Sequence, residues 1–291
     1  MTLWANRYEI IEQLGSGANG FVYRVRDQKL GRPLALKLLQ HAQDESLVIR
    51  EAHALTALES PYVLRVFNAG IYGDVPFLAT EIAVLGSTED QIQVGVGVAP
   101  HSAVRWVRQT LVGLDYCHRT RVLHRDITPA NVFLNSTDHA LLGDFGIAAN
   151  LEDDGAASRA GNQRTLAPEG FSGRLTPLSD VYSAGVTLWR LLTGQWPYDA
   201  DTEAKLAVKV RQGERPRLRD LAPHVHRSIA GVVESALDPD PTRRPASAAT
   251  MEALLAECRV HERNWIQVPA SDGGLAFATT RGRPVLPVSA R

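Results

Sequence analysis

Between Tyr8 and Leu39 apolar and polar residues alternate in short runs, YEIIEQL, FVYRVRD and PLALKLL, divided by the segments GSGANG and KLGRP. Alternation puts successive side chains on opposite faces of a strand, and glycine and proline punctuate the runs. The pattern predicts an antiparallel meander with a glycine-rich first turn. From Asp44 to Leu58 the period lengthens, so that Leu47, Ala54, Leu55 and Leu58 share one face of a helix that ends before Ser60 and Pro61. Two further extended runs are expected, Val63 to Phe67 and Phe77 to Ile82.

After Ser102 the texture changes. Val104, Val107, Leu111 and Leu114 recur at helical spacing, and most later segments read as helices. The expected class is therefore α+β, a sheet-rich first part followed by a helix-rich remainder. The stretch LGSTEDQIQVGVGVAP between them reads as a surface connection, with IQVGVGV as an alternative short strand. Beyond about Arg263 only extended pieces and turns are expected, and no internal repeat is visible.

A length of 291 residues with 44% apolar content allows one two-lobed domain or two ordinary ones. The formal net charge of -1, with both signs interspersed, gives no broad positive field, so no nucleic-acid partner is expected. The start, MTLWANRYEI, lacks a basic region followed by an apolar run, and the apolar stretch Val181 to Leu192 is interrupted by Tyr182, Ser183, Thr187 and Arg190. No membrane span is expected. Cys117 and Cys258 stand far apart without CxxC spacing, which fits a reducing compartment and a cytoplasmic location.

Candidate chemistry begins at the first turn. Gly15, Gly17 and Gly20 stand at GxGxxG spacing, where absent side chains let a backbone approach phosphate oxygens. The same spacing marks dinucleotide sites, but here a strand, FVYRV, follows instead of a helix; a merely flexible hairpin is the plain alternative. Lys37 lies inside the apolar strand LALKLL, where burying a charge needs a partner. Glu51 in the following helix is the candidate, although Lys37 could equally extend its ammonium to solvent. In VLHRDITPANVFL, Asp126 and Asn131 fall five residues apart in a loop, and in LLGDFGI Asp144 follows a short strand. Loop Asp and Asn are usually turn formers. Together, however, these three offer two oxygen ligands suited to magnesium and one carboxylate able to orient a hydroxyl.

In this order and spacing the chain resembles the protein kinase superfamily, and within it the bacterial serine/threonine kinases of eukaryotic type. The resemblance runs from about Tyr8 to Cys258 through LGSGANGFV, LALK, REAHAL, HRDITPAN, DFG, APE (Ala167 to Glu169), SDVYSAGVTLWRLLTGQWPY and DPDPTRRP. It implies a bilobal fold, with a small antiparallel-sheet N-lobe carrying one helix (1–83), a mainly helical C-lobe (84–262) and an extension of unknown role (263–291). It implies ATP and Mg2+, or Mn2+, as cofactors, and a protein substrate that includes the chain itself through autophosphorylation.

By the same resemblance Gly15, Gly17 and Gly20 cover the phosphates, while Val22 and Ala35 face the adenine. Thr80 is the gatekeeper of a hinge through Glu81, Ile82 and Ala83. Lys37 contacts the α and β phosphates and pairs with Glu51. Asp126 orients the substrate hydroxyl, and Asn131 and Asp144 hold the metal. His124 and Phe145 are packing residues, Asp180 braces the HRD backbone, and Glu169 pairs with Arg244.

The departures concern one cation. Serine/threonine kinases commonly carry a lysine two residues after the catalytic aspartate; here that residue is Thr128. The arginine positions of tyrosine kinases include Ala130, so neither usual cation is present. Asn162 stands where the family has a threonine that bonds the catalytic aspartate. A rearranged cluster of Asp126, Thr128, Asn162 and Arg164 is the resulting expectation, with a solvated Arg164 and weaker catalysis as the plain alternative. Loss of one preorganised group costs about 10²- to 10³-fold in rate, which slows an enzyme without abolishing it. The segment Ile147 to Arg164 would be the activation loop. In it Glu152, Asp153 and Asp154 would supply fixed negative charge for Arg125 in place of a phosphate, with a solvated acidic turn as the plain alternative; its hydroxyls are few, Ser158 inside and Thr165 at its end. A slow serine/threonine kinase is the leading expectation. A pseudokinase acting as a nucleotide-binding module is the alternative, and APE and SDVYSAG disfavour a small-molecule kinase.

Overall fold

The computed structural model describes residues 3–17, 20–39, 55–145 and 163–260, and the backbone of two later strands, 265–269 and 275–279. Five strands make the first sheet: β1 (Tyr8–Gly17), β2 (Gly20–Asp27), β3 (Arg32–Leu38), β4 (Val66–Tyr72) and β5 (Val75–Thr80). They run antiparallel in the order β1-β2-β3-β5-β4. Their alternating apolar positions converge on a cluster of Tyr8, Val25, Leu34, Leu36, Phe77 and Ala79, closed by Trp4. The turn between β4 and β5 holds Gly73 and Asp74 at φ 55° and 62°, the left-handed pair that a two-residue hairpin requires.

The extended run expected from Val63 to Phe67 is placed differently. The strand begins at Val66, because Tyr62 to Leu64 pair instead with a strand of the second half: Leu64 N donates to Leu142 O, and Leu142 N to Tyr62 O, each at 2.9 Å. Apolar alternation marks an extended segment but carries no information about which neighbour it joins. Likewise β5 stops at Thr80, leaving Glu81, Ile82 and Ala83 as an open connection. The helix expected from Asp44 to Leu58 lies outside the described residues except for its last turn, where Leu55 and Leu58 are buried.

The helical part begins with α1 (Pro100–Arg119), which starts on proline and buries Val104, Val107, Leu111 and Leu114. A hairpin of β6 (Val132–Leu134) and β7 (Ala140–Leu142) follows. Next come α2 (Pro177–Thr193), α3 (Glu203–Gln212), α4 (Leu218–Leu221), α5 (Arg227–Ala236) and α6 (Ala248–Ala256). Helix α2 is the centre of this half. Thr176 and Ser179 form its capping box, Gly194 ends it at φ 66°, and it is buried on nearly every side. The IQVGVGV region forms turns with a single Gln93–Gly97 bridge, not a strand. The last two strands, β8 (Trp265–Pro269) and β9 (Leu275–Thr279), pair with each other.

Candidate active site

Between the sheet and the helical half lies a cleft of about 850 Å³. Gly15, Val22, Ala35 and Lys37 form its upper wall, Thr80, Glu81, Ile82 and Ala83 its back, and Ala130 and Asp144 its lower side. The register explains this convergence, since Val22 pairs across from Lys37 and Ala35 across from Thr80, so alternate side chains face the same space. Gly17 pairs with Gly20, and Gly20 has φ +124°; a Cβ there would fall 1.9 Å from Leu38 O, so only glycine fits. At the back, Thr80 Oγ1 donates to Glu81 O at 3.1 Å, while the Glu81 carboxylate accepts from Arg65 N at 2.7 Å.

Lys37 is largely buried in β3, and its ammonium forms an ion pair with Asp144. Burying that charge is costly without an opposite charge, and Asp144 supplies one. Glu51, the partner expected from the sequence, lies outside the described residues, as does Asn162.

The β6–β7 hairpin brings the remaining groups together. Asn131 immediately precedes β6, Asp144 closely follows β7, and Gly143 N donates to Asn131 O at 3.0 Å. The Asn131 amide nitrogen donates to both Asp126 O and Asp126 Oδ2 at 2.8 Å, which leaves its amide oxygen as an acceptor. An amide oxygen and a carboxylate on adjoining segments are the hard oxygen donors that a magnesium ion takes. Asp144 and Arg125 both hold positive φ, 57° and 67°, a conformation costing non-glycine residues about 1–3 kcal/mol and kept only where the surroundings over-determine it.

Those surroundings are visible. Asp180, 2% exposed at the start of α2, accepts from His124 N at 3.0 Å and Arg125 N at 2.9 Å, and its Oδ2 lies 2.8 Å from His118 Nε2. His124 is itself enclosed, its ring 4.5 Å from that of Phe145. Burial lowers its pKa and holds it neutral. The neutral ring then accepts from Asp126 N through Nδ1 at 3.3 Å and donates to Gly143 O through Nε2 at 2.9 Å. A histidine and a phenylalanine thus link the two loops that carry Asp126 and Asp144.

Thr128 is 3% exposed in an extended backbone inside the loop. Arg164 is about half exposed, 3.3 Å from Asp199 and 5.8 Å from the Trp196 ring centre. The acidic residues Glu152, Asp153 and Asp154 and the hydroxyl of Ser158 lie outside the described residues. Thr165 is described and buried. Farther away, Arg244 grips Glu169 with two hydrogen bonds of 2.7 and 2.8 Å, and Ser179 Oγ adds a third at 2.7 Å. Burial pushes the Glu169 carboxyl up, but Arg244 and Ser179 outweigh it and hold it below the usual range. Sequence reasoning missed His118, whose place beside Asp180 depends on how α1 crosses α2 and left no local signal.

A family profile described as protein kinase domain matches residues 8–256. The chain is 29% identical over 258 residues to the serine/threonine-protein kinase PrkC of Bacillus subtilis, covering 86% of this chain and 40% of that protein. It is 31% identical over 280 residues to the serine/threonine-protein kinase PknL of Mycobacterium tuberculosis, covering 91% of this chain and 69% of that protein. To the serine/threonine-protein kinase PknB of Mycolicibacterium smegmatis it is 32% identical over 274 residues, 89% of this chain and 43% of that one. The chain thus spans well under half the length of PrkC and PknB. In fold it is similar to Rad53 1-466 in its crystal structure in complex with AMP-PNP, with a TM-score of 0.73 at 23% identity over 84% of this chain and 64% of that one. A profile that covers all five strands of the first sheet and every helix from α1 to α6 leaves one assignment: the chain belongs to the protein kinase family.

Proposed function

We propose that this chain transfers the γ-phosphate of ATP to serine or threonine hydroxyls of proteins, its own included. The observation that carries the reading is the meeting of Lys37 with Asp144 in the cleft, beside a loop in which Asn131 holds Asp126. Lys37 would bind the phosphates and Asp126 would orient the acceptor hydroxyl. Asn131 and Asp144 would hold Mg2+, or Mn2+ in its place, whose charge would neutralise phosphate oxygens. The turn of Gly15, Gly17 and Gly20 would cover the phosphates, and Val22, Ala35 and the Thr80–Ala83 connection would enclose the base. Glu51 would align Lys37. The choice of serine and threonine over tyrosine rests on the likeness to PrkC, PknL and PknB.

In this reading residues 1–83 form the N-lobe, 84–262 the C-lobe and 263–291 an extension. No helix among the described residues is long and apolar enough to cross a membrane. A cytoplasmic location, where ATP is available, fits the proposed chemistry. Thr128 in place of a lysine would make the enzyme slow, with Asn162 and Arg164 as the groups that would take over the vacated role.

The test is phosphotransfer to a generic protein substrate and to the chain itself, with Mg2+ or Mn2+, for wild type, Asp126→Asn and Asp144→Asn. Transfer that both substitutions reduce by at least about 10²-fold supports the enzyme. Nucleotide binding without substitution-sensitive transfer replaces it with the pseudokinase reading.

A further inference from the structure

The loop that carries Asp126 is held by an unbroken series of accepted hydrogen bonds. Asp126 O accepts from Asn131 Nδ2 at 2.8 Å, and Ile127 O from Thr187 Oγ1 at 3.3 Å. Thr128 O accepts from Asn131 N at 3.0 Å, and Pro129 O from Thr88 Oγ1 at 2.7 Å. Two of these donors belong to the loop itself. The other two are buried threonines from outside it, Thr187 in the middle of α2 and Thr88.

Thr88 differs from Thr187 in where its backbone goes. It lies in the segment that leaves the back wall of the cleft, and that segment is laid along β6. Leu85 N donates to Leu134 O at 3.2 Å, Leu134 N to Gly86 O at 2.8 Å, and Thr88 N to Val132 O at 2.8 Å. The Thr88 hydroxyl extends this ladder one step further, onto a carbonyl that a strand pairing could not reach. It is the shorter of the two outside bonds, and it falls between Thr128 and Asn131. Pro129 has no N–H, so its carbonyl is the one backbone polar group by which that residue can be held.

We propose that Thr88 is a positioning residue. Its hydroxyl ties the catalytic loop to the segment that follows the nucleotide-enclosing wall, and thereby sets the placement of Asp126 and Asn131. The assignment rests on the proposed phosphotransfer reading for its effect on rate, but its structural part stands apart from that reading. The need for such a tie is greater here because Thr128 brings no long cationic side chain to hold the loop against a phosphate. Removing the hydroxyl while keeping the shape of the side chain leaves a fully buried carbonyl without its donor and frees the 128–131 turn.

The experiment compares wild type, Thr88→Val and Thr88→Ser. Thr88→Val is near-isosteric and lacks the donor, and Thr88→Ser keeps it. Amide hydrogen exchange over residues 124–134 is measured alongside kcat and the KM for ATP. Thr88→Val is expected to speed exchange of this loop at least threefold and to lower kcat about tenfold, since small misplacements of reacting groups cost this much and more. KM for ATP is expected to stay within twofold, and Thr88→Ser to restore both the exchange rate and most of kcat. A loop that exchanges at the wild-type rate in Thr88→Val overturns the proposal. So does a Thr88→Ser variant as impaired as Thr88→Val, which would mean that the lost methyl packing and not the hydroxyl mattered. If wild type shows no phosphotransfer, the enzyme reading fails while the exchange comparison still decides whether Thr88 holds the loop.

Discussion

Asp180→Ala tests the brace beneath the catalytic loop. In the wild type the carboxylate of Asp180, a residue only 2% exposed, accepts from two backbone N–H groups, those of His124 and Arg125, and meets His118 at 2.8 Å. Alanine leaves both backbone donors buried without an acceptor, at about 1–3 kcal/mol each. It also removes a negative charge from the first turn of α2, worth about 0.3–1 kcal/mol. Part of the cost returns if Arg125 leaves its φ of +67°, which releases strain. The net expectation is a loss of about 3–5 kcal/mol, a large share of the roughly 5–15 kcal/mol that holds a folded protein together. Urea unfolding followed by tryptophan fluorescence reads this directly. With a slope near 3 kcal/mol/M, the upper end of the usual range, the midpoint should fall by about 1–1.7 M. Asp180→Asn retains one acceptor oxygen and should lose about half as much. A loss under about 1 kcal/mol for alanine, or equal losses for both variants, would show that the two N–H groups find other acceptors and that the brace is not what holds Arg125.

Thr128→Lys should raise the phosphotransfer rate, by as much as about 10²-fold, if the loop only lacks a cation; a slower variant measured in the same assay would favour a rearranged cluster around Arg164. Glu169→Gln should destabilise the fold by about 3–5 kcal/mol at pH 7, because the Arg244 guanidinium is fully buried and would lose its counter-charge. The Glu169 carboxyl titrates below its usual range, so its contribution is complete above the unfolded value of about 4.3 and is lost as pH falls through the folded value. The stability gap between wild type and Glu169→Gln should therefore begin to narrow as pH falls below about 4.3; a constant gap down to pH 3 would contradict the assignment.

Local features of the fold were legible because they are properties of short windows. The alternation in FVYRVRD and PLALKLL gave β2 and β3, and the apolar period after Ser102 gave α1. The position of Asp126 and Asn131 in one loop follows from their five-residue separation, and the hydrogen bond between them is a contact that such closeness permits. The strand over Val63 to Phe67 was misplaced because its pairing partner is Leu142, a choice no local window contains.

What the sequence determined by itself is which chemical groups are present and which face of each element they occupy. The tertiary structure decided who meets whom. Lys37 reaches Asp144 across 107 positions, Arg244 reaches Glu169 across 75, His124 reaches Asp180 across 56, and Thr88 reaches Pro129 across 41. A hydrogen bond depends on distances of a few tenths of an ångström, and those are set by how the sheet, α1 and α2 pack together, which periodicity constrains only to a face. For that reason the sequence could place Lys37 in a strand in need of a partner, and only the closed chain could show Asp144 beside it.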